Sequence, residues 1–316
     1  MPIDTEVRGT FPAAVDNSMR KTLVRCQKMA YWKHERGLVP VGEQRVHLVA
    51  GRAFAAGICA VRRAFYGEGV SDPYDLLKAG LAAVRANYDY TGSMPQWCYK
   101  TVDRVESALA FYLDKWPLAD ERLIPVRFHN GTLGIELCES MPTPLQHPTT
   151  GATIPFVANF DMLAQDRETG MYWIVDEKTT GKMGDTWALQ WALDSQLTGY
   201  CFVARRLLRL MGDKTAEVAG AIIRGVSFLK TEHAGMECME YRQPWELERW
   251  YYQMMRDMNG WIAAHRNGYH DGVYDHACAL YNSPCEYSKL CKAHDPERLI
   301  DGNYNIKHYN PLNRED

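Results

Sequence analysis

Three polar residues, Asp161, Asp176 and Lys178, have types and a spacing that could do chemistry. Asp161 lies within a β-branched and aromatic run, residues 154–163, and Asp176 ends the apolar run that follows. A polar segment with turn chemistry, residues 165–170, separates the two runs, so the simplest interpretation is an antiparallel hairpin. The two aspartates would then lie on adjacent strands, with Lys178 two residues beyond Asp176 on the same face.

Such a geometry suits metal-assisted hydrolysis of a phosphodiester. Two carboxylates bind a hard divalent cation such as Mg²⁺ or Mn²⁺, which polarises the phosphodiester and helps to ionise a water. The ammonium group of Lys178 would orient that water or offset charge in the transition state. The alternative interpretation is a solvated hairpin end with a surface ion pair, and Asp-x-Lys alone does not separate the two.

The elements around the hairpin predict an α/β or α+β fold with one mixed sheet. Helical spacing and caps predict helices over 18–37, 43–66, 72–87, 99–116, 185–211 and 246–265, the first capped by Ser18 and the fifth by Asp185. Short β-rich runs predict strands over 122–128, 133–138, 154–163, 171–175, 218–230 and 236–241.

Composition narrows the class of protein. In 316 residues, a hydrophobic content of 46% is ample for a core, and no apolar run approaches the length that spans a bilayer. The first residues lack the pattern of a signal peptide, so we expect a cytoplasmic protein with no membrane partner. A net charge of −3 argues against a uniformly basic coat but leaves a local basic groove open. The first predicted helix is rich in Lys and Arg, which fits either a phosphate-facing surface or a solvated helix face.

Two further groups lie on the elements beside the hairpin. Gln196 and Tyr200 are four residues apart on a predicted helix and so share a face, where the alternative is a tyrosine packed in the core. On the strand before the hairpin, alternation places Glu136 on one face with Cys138, and Glu139 on the opposite face.

The third group is a set of cysteines near the end of the chain. Cys278, Cys285 and Cys291 lie close together, with Pro284 before the second. Nine cysteines without an export signal argue against a disulfide framework, and the density of thiols is typical of a zinc or iron–sulfur site. Zinc sites use tighter Cys-x₂₋₄-Cys knuckles, so the wide spacing favours a [4Fe–4S] cluster, which needs a fourth ligand.

The order Asp161, Asp176-x-Lys178, Gln196-x-x-x-Tyr200 resembles the PD-(D/E)xK nuclease superfamily, and most of all the RecB-like exonucleases that bacteriophages encode. The resemblance covers Ser18 to Cys291. It implies a restriction-endonuclease-like mixed central sheet flanked by helices, with metal-dependent cleavage of DNA. It also implies the roles of the site residues. Asp161 and Asp176 bind the metal, with Glu136 and the carbonyl of Glu177 as further ligands. Lys178 positions or deprotonates the attacking water, and Gln196 with Tyr200 holds the scissile strand and the lysine.

The iron–sulfur branch of the superfamily, which includes the CRISPR adaptation nuclease and the AddB nuclease domain, places one cysteine before the nuclease core and three after it. Cys26 matches that placement, so the resemblance implies a [4Fe–4S] cluster held by Cys26, Cys278, Cys285 and Cys291. The alternative for Cys26 is a buried helix thiol. The sequence departs from many relatives at Ala55, where a histidine is expected.

The resulting expectation is a metal-dependent DNA exonuclease, phage-encoded or bacterial, that acts on single- or double-stranded DNA ends. Its divisions would be a leader (1–17), a helical region that contributes one cluster cysteine (18–120), the nuclease core (121–270) and a C-terminal cluster-binding segment with a tail (271–316). The alternative is an iron–sulfur DNA-binding or assembly protein whose nuclease site is weakened. A homo-oligomer is left open.

Overall fold

The structure is a computed structural model, and it describes residues 9–42, 46–94, 98–229, 231–274, 276–280 and 283–313. The strands are β1 (Val15–Asp16), β2 (Leu38–Pro40), β3 (Leu123–Pro125), β4 (Ile135–Met141), β5 (Phe156–Asp166), β6 (Tyr172–Thr180), β7 (Val218–Phe228), β8 (His233–Tyr241), β9 (Ala279–Leu280), β10 (Ser283–Pro284) and β11 (Tyr304–Ile306). The α-helices are α1 (Asn17–Arg25), α2 (Gln27–Ala30), α3 (Val46–Arg62), α4 (Pro73–Asn87), α5 (Val102–Lys115), α6 (Ser195–Leu210), α7 (Pro244–Asn267) and α8 (Ser288–Lys292).

Two compact units share the chain. The first contains Met1–Gly42, Cys138–Ala158 and Glu248–Asp316, and the second contains Glu43–Leu137 and Asn159–Leu247. Part of the predicted leader, residues 1–8, lies outside the described residues, as do positions 43–45 at the predicted start of the second helix. No described helix has both the length and the apolar character needed to cross a membrane.

The second unit is built on a mixed sheet, as the sequence predicts. β6 pairs antiparallel with β5 and parallel with β7, β7 pairs antiparallel with β8, and β3 pairs antiparallel with β5. Helices α3, α4 and α5 bury an apolar core against β7 through side chains that include Phe54, Val84, Leu109, Val226 and Phe228. Helix α6 packs on β6 and β7. The unit is therefore an α/β fold whose mixed central sheet is flanked by helices.

The first unit corrects the single helix predicted over 18–37. The cap is Asp16, whose carboxylate accepts from the backbone N–H of Met19 at 2.8 Å, and α1 ends before Cys26. Cys26 has an extended backbone, with φ −166° and ψ 118°, so α2 begins as a separate helix. A sequence pattern does not detect a local break of this kind, because α1 and α2 bury side chains of the same types and the apolar periodicity therefore does not reveal the break.

All three arginines of this segment contact other parts of the protein. Arg20 makes two hydrogen bonds to Asp257 Oδ2, at 2.8 and 3.0 Å, and Arg36 binds both carboxylate oxygens of Glu297, at 2.6 and 2.8 Å. Arg25 donates to the carbonyl of Ala277 at 3.2 Å. These three guanidinium groups therefore hold the first unit together, and the phosphate-facing interpretation of the helix is wrong for them.

Candidate active site

The hairpin brings the two predicted aspartates together. In the ladder of β5 with β6, Met162 lies opposite Val175, and Asp161 and Asp176 are the next residue along each strand. The backbone N–H of Glu177 donates to Asp161 Oδ2 at 2.8 Å, and Lys178 Nζ lies 2.5 Å from Asp176 Oδ2. Strand alternation puts Asp176 and Lys178 on the same face, so the predicted arrangement of two carboxylates and one ammonium group is present.

The electrostatics of this cluster favour a bound cation. Burial, followed by the charges of Asp176 and Glu177, raises the pKa of Asp161 well above its usual value. Burial also raises the pKa of Asp176, although the charge of Lys178 opposes it. Two buried carboxylates that repel each other are an unfavourable arrangement unless a positive charge joins them, and hard oxygen donors are what Mg²⁺ and Mn²⁺ prefer. The donor set therefore fits a divalent cation.

Lys178 remains protonated in this environment. Burial lowers its pKa, but the charges of Asp176 and Asp161 and the hydrogen bond to Asp176 outweigh that effect, so the pKa lies above the usual value for lysine. A group that holds its proton so firmly is suited to orienting a water or offsetting negative charge, and is poorly suited to removing a proton at neutral pH.

Glu136 occupies an unusual backbone conformation on β4. Its φ of +51° lies in the left-handed region, which is uncommon for any residue other than glycine and interrupts the simple alternation expected along this strand. Its charge contributes to the raised pKa of Asp161, after burial and the charges of Asp176 and Glu177. A strained residue held near a carboxylate cluster is consistent with the role that the sequence predicts for it.

Gln196 and Tyr200 contact each other, which confirms that they share a face of α6. Gln196 Nε2 donates to the Tyr200 hydroxyl at 2.7 Å, and the Tyr200 ring meets Phe160 edge-on, with centroids 5.3 Å apart. Phe160 directly precedes Asp161 on β5, so the Tyr200 ring packs against the strand that carries Asp161.

The helix that carries this pair starts later than predicted. Its cap is Asp194 and not Asp185. The Asp194 carboxylate accepts hydrogen bonds from the N–H groups of Gln196 and Leu197, at 2.7 and 3.0 Å. Asp194 also contributes to the raised pKa values of Asp176 and Lys178, so the first turn of α6 lies near the cluster. Both aspartates have the right residue type for a cap, and a short 3₁₀ turn over Ala188–Trp191 separates them.

Sequence reasoning missed a buried charge network beneath Glu177. The Glu177 carboxylate accepts hydrogen bonds from Arg62 and from the Tyr112 hydroxyl, so it faces away from the two aspartates. On β7, Arg224 pairs with Glu121 at 2.6 Å. No spacing signal could have found these partners, because they come from helices and strands far from Glu177 in sequence.

The metal site is incomplete in its side-chain ligands. Across the part of the chain that the structure describes, no three His, Cys, Asp or Glu side chains form a group that could hold a metal ion. Ala55 lies in the middle of α3 and offers no donor atom at the position where a histidine was expected. Asp161 and Asp176 thus supply two ligands, and the main chain of Glu177 and the carboxylate of Glu136 are the nearest candidates for more.

The four predicted cluster cysteines all belong to the first unit. Cys26, Cys285 and Cys291 share one buried apolar cluster with Trp32 and Tyr287, and the N–H of Cys285 donates to the carbonyl of Cys278 at 2.7 Å. Burial raises the pKa of the Cys285 and Cys291 thiols, and Cys26 is close enough to raise both further. All four are free thiols, and Cys26, Cys285 and Cys291 meet in that apolar cluster without a disulfide, but no three cysteines of the described residues form a group that could hold a metal ion.

The fold and the site together define a class of protein. Its members have a mixed sheet whose strands carry two acidic residues and a lysine close together. The family model of the PD-(D/E)XK nuclease superfamily matches residues 18–292. The chain belongs to that superfamily, whose members typically use divalent metals such as Mg²⁺ or Mn²⁺ and act on DNA.

Solved structures resemble the chain more distantly. A crystal structure of a "Putative exonuclease" from Eubacterium rectale is 13% identical, with 89% of this chain and 94% of that chain covered and a TM-score of 0.42. A crystal structure of SSO0001 is 11% identical, with 75% and 83% covered and a TM-score of 0.27. Neither TM-score is high enough to bear on the argument. No curated protein matches the sequence.

Proposed function

We propose that this protein is a metal-dependent deoxyribonuclease that hydrolyses phosphodiester bonds from DNA ends. The observation that carries the proposal is the pair formed by the half-buried Asp161 and the buried Asp176, next to each other on adjacent strands with Lys178 in contact with Asp176. In a chain of this superfamily, such a cluster has no role as a surface ion pair, because Asp176 is 1% exposed.

Each residue of the site has a separate role in hydrolysis. A divalent cation held by Asp161 and Asp176, with Glu136 and the Glu177 carbonyl as further ligands, would polarise the scissile phosphate and acidify a water. Lys178 stays protonated, orients that water and offsets the charge that develops on the phosphoryl oxygens.

Gln196 and Tyr200 complete the site on the side of α6. Gln196 donates to the Tyr200 hydroxyl at 2.7 Å, and the Tyr200 ring packs on Phe160, the residue before Asp161 on β5. We assign them to holding the scissile strand, since a fixed substrate converts the attack of water into an effectively intramolecular step.

The proposal includes a [4Fe–4S] cluster on Cys26, Cys278, Cys285 and Cys291. Support comes from three of the four thiols, those of Cys26, Cys285 and Cys291, which share one buried apolar cluster. We include in the proposal that such a [4Fe–4S] cluster, together with the Gln-x-x-x-Tyr pair, would make this protein a RecB-like exonuclease of the kind that phages encode.

A comparison of linear and covalently closed DNA tests the reaction. With Mg²⁺ or Mn²⁺, we expect the linear molecule to be degraded to small products and the closed circle of the same sequence to stay intact, because only the linear form has ends. Excess chelator should stop the reaction. Cleavage of the closed circle would contradict action from ends. Binding of DNA without any degradation would favour the alternative, an iron–sulfur DNA-binding or assembly protein.

A further inference from the structure

Glu177 joins the candidate active site to the buried charge network. It lies between Asp176 and Lys178 on β6, so its side chain leaves the strand on the opposite face. The residue as a whole is half-buried while its side chain is only 3% exposed, which means that its exposed atoms belong to the main chain. Its N–H group holds Asp161 Oδ2 at 2.8 Å. One residue therefore contacts the catalytic carboxylates with its backbone and the network with its carboxylate.

The Glu177 carboxylate is gripped from two helices. Arg62, in the last turn of α3, donates to Oε1, and the Tyr112 hydroxyl of α5 donates to the same oxygen at 3.0 Å. Arg62 also donates to the Tyr112 oxygen at 3.1 Å, so the three groups form a closed triangle. Both charged side chains are 3% exposed.

A second cation extends the network to the neighbouring strand. Arg224 lies opposite Glu177 in the β6 and β7 ladder. It pairs with Glu121 at 2.6 Å and with Glu237 at 2.8 Å, and its charge helps Arg62 to keep Glu177 ionised. The network thus ties β6 to α3, α5, β7 and β8 at the level of the active site.

Stability alone does not account for such a network. Removing two charges from water costs about as much free energy as their attraction returns, and apolar side chains of the same size commonly serve a core as well or better. Ion pairs of this kind are therefore expected where a fixed geometry is needed, and this one holds the single residue between Asp176 and Lys178.

We propose that Arg62 and Tyr112 are positioning residues for the nuclease site. By anchoring the Glu177 side chain, they fix the backbone of β6 where its N–H group holds Asp161 Oδ2 and where its carbonyl would be available to a cation bound by the aspartates. The inference rests on the proposed function for its catalytic consequence, but the positioning itself is a property of the protein without substrate.

A double substitution separates positioning from stability. Arg62→Met alone leaves the Glu177 carboxylate buried and unpaired, so that variant is expected to unfold readily. Arg62→Met combined with Glu177→Met removes both charges and keeps the volume, and we expect it to fold with a melting temperature close to that of the native protein. The matched control is Arg85→Met with Glu106→Met, which removes an Arg–Glu pair between α4 and α5 where Arg85 is 68% exposed.

Amide hydrogen exchange is the first readout. In the folded double variant, the amide of residue 177 should exchange about tenfold faster, while amides in the middle of β6, such as that of Ile174, should not change. Mn²⁺ affinity, measured by titration without DNA, should fall by about 10-fold or more, and kcat should fall similarly with little change in KM. The single variant Arg62→Lys should show smaller changes in amide exchange, Mn²⁺ affinity and kcat than the double variant. Lysine keeps the positive charge but lacks the forked guanidinium group that reaches both Glu177 and Tyr112.

Different results would contradict the proposed nuclease function and the positioning role of Arg62 and Tyr112. A native protein that neither binds Mn²⁺ nor cleaves DNA would contradict the proposed function, whereas the exchange of the residue 177 amide would still decide the positioning role. A folded double variant with native exchange at residue 177 and native Mn²⁺ affinity would overturn that role.

Discussion

Replacing Asp161 with asparagine is expected to abolish DNA hydrolysis and to make the metal-free protein more stable. The substitution removes a charged ligand of the cation, whose stabilisation of the transition state amounts to several kcal/mol, so the rate should fall about a thousandfold or more. The asparagine oxygen can still accept the hydrogen bond from the N–H group of Glu177, so the strand geometry is retained.

The stability effect has a defined pH dependence. The folded protein raises the pKa of Asp161 above its ordinary value of 3.8, mainly because the carboxyl is buried. Below that value Asp161 is protonated whether the chain is folded or unfolded, and it has no influence on stability. As the pH rises, the unfolded chain gives up its proton first, so the folded state is progressively destabilised. The Asp161→Asn variant should therefore melt higher than the native protein at pH 7 without metal, and the difference should vanish near pH 3.

Asp166→Asn on the same strand is the matched control. Asp166 is also buried, but its carboxylate accepts from the N–H groups of Glu168 and Thr169 in the hairpin turn, far along β5 from Asp161. This variant should keep its nuclease activity and lose stability. An Asp161→Asn protein that keeps the native rate would show that hydrolysis does not depend on this carboxylate.

The second large effect is expected from loss of a cluster cysteine. Cys26 and Cys278 are separated by roughly 250 residues, and closing a loop of that length through a shared cluster stabilises the fold by about 5 kcal/mol, if the arithmetic for disulfide loops applies. We expect aerobically purified protein to be brown, with iron and sulfide bound. Cys26→Ala and Cys285→Ala should each lose iron and lower the melting temperature of the chain.

Cys138→Ala provides the control, because this thiol is exposed and lies outside the proposed ligand set. It should keep native iron content and melting temperature. Two results would contradict the proposed cluster: a colourless protein loaded with zinc, or a Cys26→Ala protein with full iron content and unchanged melting.

Local patterns were sufficient to predict the hairpin that carries the site. The alternation of apolar side chains and the turn residues around Asp161 and Asp176 involve only residues within about one strand length of each other. The observed ladder of β5 and β6 agrees with this local pattern. The pair Gln196 and Tyr200 was predictable for the same reason, since residues four apart on a helix must share a face.

The features that were missed depend on tertiary contacts. The break at Cys26 accompanies its place in a buried cluster with Trp32 and Tyr287, and Tyr287 lies about 260 residues away along the chain. The sequence indicated a role only for the carbonyl of Glu177, and the burial of its carboxylate against Arg62 could not be seen without knowing that α3 packs on β6. Whether Asp185 or Asp194 caps α6 likewise depends on tertiary contacts, because these decide where the chain can turn.

The central claim is that Asp161 and Asp176 hold the metal of a DNA nuclease. The most direct measurement is an anomalous-scattering map from crystals of the native protein soaked with Mn²⁺. We predict a peak within coordinating distance of one carboxylate oxygen from each aspartate, near the Glu177 carbonyl, and no peak there in crystals of Asp161→Asn. A Mn²⁺ peak that contacts neither aspartate in the native protein would contradict the account.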